Sequence, residues 1–105
     1  MPCYITIRIN VEFKNLSSLK KAARELGYAV SGNSDNLVLR KGYTTINVEK
    51  NGNVWNAEHE NKTVMGDLED TYTAIEAEKK YRAAGWKTQR RRDKNTNEIK
   101  ITLKR

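Results

Sequence analysis

Residues 4–13 alternate without a break, with Ile5, Ile7, Ile9, Val11 and Phe13 on one face and Tyr4, Thr6, Arg8, Asn10 and Glu12 on the other. A period of two with β-branched residues on one side predicts a strand that buries one face and wets the other. Such a strand needs an apolar layer to lie on. The next segment supplies one: after Asn15 or Ser17 as N-cap, Leu16, Leu19, Ala22, Ala23 and Leu26 recur at helical spacing until Gly27 stops the run.

From Tyr28 to Glu60 the pattern returns to short strands, predicted at 28–31, 36–40, 43–50 and 54–58. The polar run Gly32-Asn33-Ser34-Asp35-Asn36 reads as a loop. Asn51-Gly52 between two alternating runs is the dipeptide that tolerates positive φ in a tight hairpin turn. A second helix is predicted from about Asp67 to Ala84, with Asp67, Glu69 and Asp70 early and Lys79, Lys80 and Arg82 late, an order that complements the helix macrodipole. Leu68, Thr71, Tyr72, Ala74, Ile75 and Ala77 give it a buried stripe. Strands at 86–92 and 98–105, joined by a polar turn over 93–97, close the chain, with Ile99, Ile101 and Leu103 facing inward.

At 105 residues, with neither a linker nor a low-complexity run, the chain is expected to be one domain, 1–105. The predicted class is α+β: a mainly antiparallel sheet with two helices on one face, laid out as a ferredoxin-like plait with an extra hairpin. A domain this size buries roughly two-thirds of its unfolded surface, enough to fold without staples. The lone Cys3 offers none, and reads as a small hydrophobe near a strand start. Apolar residues are 37% and charged residues 31%, but the apolar ones fall in periodic segments, which argues for a folded chain rather than a disordered one. No stretch approaches the roughly 20 apolar residues of a membrane span, and no export signal precedes the first strand. A cytoplasmic protein is the expectation.

Chemistry is sparse. His59 is the only histidine, and one His with one Cys cannot close a zinc site. Glu58 and Glu60 flank it, but alternating acids on a hairpin are usually a solvated face, and nothing supplies an activated nucleophile. The six glycines are scattered among turns, so neither a phosphate-binding loop nor a dinucleotide fingerprint is present. The sequence thus predicts a binding protein without enzymatic activity or cofactor.

Charge is the informative feature. From Lys79 to Arg105 eleven Lys or Arg stand against two acids, a net of +9, whereas residues 1–78 sum to −2. Lys87, Arg90, Arg91, Arg92 and Lys94 cluster around the last turn, with Lys100, Lys104 and Arg105 on the outer face of the final strand. A cationic rim of this kind attracts phosphate backbones without reading sequence, and on a strand edge it also discourages aggregation. Residues 41–48, Lys-Gly-Tyr-Thr-Thr-Ile-Asn-Val, partly resemble the RNP1 pattern of RNA-recognition motifs. Tyr4, Tyr43 and Trp55 are therefore candidates for a base-stacking face of the sheet. The first functional reading is contact with nucleic acid or another polyanion, an acidic protein included. The second is a protein-interaction or accessory subunit, or a homodimer, acting through a sheet edge or face.

Both ends of the chain carry a likeness. The first strand followed by Leu16-x-x-Leu19-Lys20-Lys21-Ala22-x-x-x-Leu26-Gly27-Tyr28, and the closing Tyr81-x-x-x-Gly85-Trp86 with Ile99-x-Ile101-x-Leu103, resemble an uncharacterised small-domain family typified by a hypothetical reading frame of plastid and cyanobacterial genomes. The resemblance covers roughly half the chain and implies a common fold. The family has no established activity, so no site residues follow from it.

Overall fold

The computed structural model describes residues 9–93 and 98–104. Strand β1 (Ile9–Phe13) leads into helix α1 (Leu16–Glu25), then into four strands in succession, β2 (Ala29–Gly32), β3 (Asn36–Lys41), β4 (Thr44–Asn51) and β5 (Val54–His59). Helix α2 (Lys62–Ala83) follows, and strands β6 (Lys87–Arg92) and β7 (Ile99–Lys104) end the described chain. The fold is α+β. Among the described residues five strands form an antiparallel sheet in the order β1-β5-β4-β3-β2, while β6 and β7 pair only with each other.

Local chemistry explains the junctions. Asn15 Oδ1 accepts the Ser18 N–H as the N-cap of α1, and Asn61 Oδ1 accepts the Thr63 and Val64 N–H groups as the N-cap of α2. The second cap starts α2 five residues before Asp67, so the acids fall in its second turn or later and the first turn holds none. Two-residue loops close two hairpins: Gly42-Tyr43 between β3 and β4, and Gly52-Asn53 between β4 and β5, the latter one residue on from the expected Asn51-Gly52.

One face of the five-stranded sheet carries Phe13, Leu37, Leu39, Ile46, Val48, Trp55 and Ala57, all buried against Leu19, Ala22 and Ala23 of α1 and Met65, Leu68 and Ile75 of α2. Leu39 and Ile46 face each other across β3 and β4 at 0% exposure; burial of each such side chain stabilises by about 1.5–3 kcal/mol. Tyr72 of α2 packs edge-on against Phe13, ring centroids 4.7 Å apart, and its hydroxyl accepts the N–H of Asn15 at 3.0 Å. One side chain thus anchors the helix to the core and to the β1–α1 junction.

Helix α2, about 33 Å long at 1.5 Å per residue, is covered on two sides. Its first side meets the sheet and α1. The second meets the β6–β7 hairpin, which is why Thr71, Ala74 and Glu78 are buried as well as Leu68 and Ile75. A ferredoxin-like plait would return a strand to the sheet after α2. Among the described residues the chain instead folds back over α2 and forms a separate two-stranded layer.

Candidate nucleic-acid interface

At the end of α2 the Trp86 N–H reaches the Tyr81 carbonyl at 3.0 Å and the Gly85 N–H the Arg82 carbonyl at 3.0 Å, the paired bonds of a Schellman turn. This reversal lays β6 along the helix it has just left. The β6–β7 register is Lys87 with Lys104, Thr88 with Leu103, Gln89 with Thr102, Arg90 with Ile101, Arg91 with Lys100 and Arg92 with Ile99. Because side chains alternate, the pairs sort onto two faces.

The inner face is built from opposites. β7 contributes Ile99, Ile101 and Leu103, and β6 contributes Thr88, Arg90 and Arg92. The Arg90 guanidinium, 18% exposed, meets Glu25 of α1 and lies with Nε 3.1 Å from Glu78 Oε1 of α2. That second contact is off the N–H axis, an ion pair rather than a hydrogen bond. Glu78 Oε2 also takes a bond from Arg82 Nη2 at 2.6 Å and faces the Thr88 hydroxyl at 3.3 Å. Arg92 donates to Thr71 Oγ1 at 2.8 Å, with Asp67 3.9 Å away. These two arginines hold the hairpin on the helices.

Among the described residues of β6 and β7 the outer face is cationic or neutral. Lys87 stands opposite Lys104 and Arg91 opposite Lys100, with Gln89 and Thr102 between them, and all six are exposed. Among the described residues none of the four cations makes an ion pair. Like charges directly opposite each other on a strand pair destabilise it, so this face holds electrostatic repulsion that an anion would relieve.

The residues singled out in the sequence therefore divide. Lys87 and Arg91 share the outer face, whereas Arg90 and Arg92 turn inward to carboxylates and are corrected to docking residues. Lys94 and Tyr4 lie outside the described residues. Trp55 is not on an open face: at 6% exposure it is a core residue opposite Phe13 in the register. Tyr43 is fully exposed, but in the β3–β4 loop rather than on a strand. The open face of the sheet carries Asn10, Glu12, Asn47, Glu49, Asn56 and Glu58 over β1, β5 and β4, and Val38, Arg40 and Thr45 toward β3, so its cationic content is the single Arg40 among amides and carboxylates.

Elsewhere, His59 Nδ1 accepts the Asn61 N–H at 2.9 Å, which ties the residue to the turn before α2. Among the described residues no three His, Cys, Asp or Glu side chains gather as metal ligands, and no helix is long and apolar enough to cross a membrane. Gln89 and Thr102, absent from the sequence-based site, complete the outer face and were detectable only through the register of the hairpin. Compared with protein-family models, curated proteins and solved structures, the chain matches none.

Proposed function

We propose that the protein binds nucleic acid through the outer face of the β6–β7 hairpin, with Lys87, Arg91, Lys100 and Lys104 contacting phosphates and Gln89 and Thr102 donating hydrogen bonds to the backbone between them. What carries the reading is the cross-strand matching of cation with cation, Lys87 with Lys104 and Arg91 with Lys100, on a face where no described carboxylate pairs with them. A surface selected only for solubility gains nothing from that matching, since mixed signs serve solubility equally and stabilise the strand pair. Phosphate contact of this kind is independent of base sequence.

The test is titration of labelled single- and double-stranded oligonucleotides by fluorescence anisotropy at two salt concentrations. Four phosphate contacts on duplex predict a fall in affinity of about 10²-fold between roughly 50 mM and 200 mM salt. No binding at the lower salt overturns the reading, and so does binding that salt leaves unchanged.

A further inference from the structure

We propose that two copies of the chain join along the outer edges of β7, antiparallel and centred on Ile101, so that the two hairpins become one four-stranded sheet with both α2 helices beneath it. The inference rests on the edge and inner face of the hairpin; the outer-face residues Lys100, Thr102 and Lys104, which the nucleic-acid reading also uses, enter only in fixing the register.

β7 has a strand partner on one side only, β6, among the described residues. Two-stranded ribbons are marginal by themselves, and an open edge is a template for a further strand. The inner side chains of β7 are also underused. Ile99, Ile101 and Leu103 are only half-buried, and between β7 and α2 lies an open cavity of about 670 Å³ whose apolar lining, Ile99, Ile101, Ala74 and Ala77, is bordered by Glu69, Asp70, Thr73 and Glu98. Tyr81, one helical turn beyond Ala77, is 41% exposed on the adjoining surface of α2.

The sequence of β7 identifies the occupant as a second β7. With Ile101 on the two-fold axis, Ile101 faces its own copy and Ile99 faces Leu103 of the second copy, so apolar residues meet on the inner side. On the outer side Lys100 meets Thr102 of the second copy, so no two cations stand opposite each other. Moving the axis to Lys100 sets that lysine against itself, and moving it to Thr102 sets Lys100 against Lys104 twice. An axis between residues would oppose inner side chains to outer ones. Among the axes at the centre of β7, Ile101 alone matches both faces.

Two measurements on the full chain test the proposal. Sedimentation equilibrium from micromolar to submillimolar protein is expected to show the mass rising from the 12.1 kDa of one chain toward twice that value. In a Cys3→Ser background, Ile101→Cys is expected to form an intermolecular disulfide on mild oxidation, since residues directly opposite in antiparallel strands have Cα atoms about 4.5–5.5 Å apart. Gln89→Cys, on the other strand, is expected not to. The exposed substitution Thr102→Lys, which sets Lys100 against a lysine of the second copy twice, is expected to raise the dimer dissociation constant about tenfold. A mass of one chain at every concentration overturns the proposal, as does a dimer that cross-links no faster through position 101 than through position 89.

Discussion

Arg90 Nε lies 3.1 Å from Glu78 Oε1, and this pair joins the β6–β7 hairpin to α2 through charge rather than through apolar packing. Both groups are largely withdrawn from water, at 18% and 7% side-chain exposure, so each has given up hydration that only the other and its neighbours replace. A hairpin held in this way depends on complete pairing.

Removing one member should therefore cost more than removing both. Arg90→Met and Glu78→Leu are each expected to lower stability by about 2–3 kcal/mol, softened by the Arg82 bond that Glu78 keeps in the first and by the Glu25 contact that Arg90 keeps in the second. The double variant Arg90→Met with Glu78→Leu is expected to recover most of that loss, because it leaves no buried charge unpaired. Urea unfolding of the two single variants and the double variant reads the coupling, and strict additivity would contradict the pairing described.

The two faces of the hairpin should separate in binding. Arg91→Ala or Lys100→Ala is expected to weaken oligonucleotide binding and to reduce the salt slope by about one each. Arg92→Gln, which alters a cation held by Thr71 and near Asp67, is expected to leave the slope unchanged. Anisotropy titrations over a salt series distinguish the outer positions from the inner one. Equal losses at positions 91 and 92 would mean that the inner arginines also reach the ligand.

Much of this was legible in the residues. The alternation that ends at Phe13 and the helical spacing of Leu19, Ala22 and Ala23 each specify one buried face, which the fold uses as written, while Ile99, Ile101 and Leu103 share the inner face of the hairpin and stay half-buried. The start of α2 was not legible because Asn61 caps it ahead of Gly66, a poor helix former that masks the first turn. Trp55 was misplaced because its burial follows from the Phe13 register, a pairing between strands more than forty residues apart. The basic cluster was misjudged for a different reason. Charge counting treats Arg90, Arg91 and Arg92 as one patch, but a strand sends neighbours to opposite faces, and the carboxylates that claim Arg90 come from Glu25, 65 residues away on α1, and from Glu78, on the helix that β6 folds back along.

Tyr28 offers a prediction in pH. It is buried beneath the α1–β2 junction, and its phenol pKa is raised above 10.0, first by desolvation and then by the Asp67 carboxylate. The neutral phenol is thus the form the fold prefers. Its contribution is complete below about pH 10, where folded and unfolded states are both protonated, and is lost as pH rises toward the folded value because the unfolded state ionises first. Tyr28→Phe is expected to flatten the fall in stability above about pH 10 relative to the parent chain. Urea midpoints across that range check it, and identical slopes for the two proteins would remove Tyr28 as a source of the alkaline dependence.

Two glycines with positive φ should respond unequally to the same substitution. Gly52, at φ +64° in the β4–β5 loop, has open space where a Cβ would go, so Gly52→Ala is charged only with the left-handed backbone, about 1–2 kcal/mol. Gly32 sits at φ +125°, and a Cβ there would fall 2.2 Å from the Asn36 carbonyl oxygen, an atom that cannot retreat because it accepts the Asn33 N–H at 2.8 Å. Asn33 Oδ1 fixes the same loop from within by accepting the Asp35 and Asn36 N–H groups at 2.9 Å. Gly32→Ala therefore combines a nearly glycine-only conformation with a backbone clash, and is expected to cost more than about 3 kcal/mol. Thermal unfolding of the two variants orders them: a Gly32→Ala protein as stable as Gly52→Ala would mean that the β2–β3 loop has a second conformation open to it, with the Asn33 bonds broken.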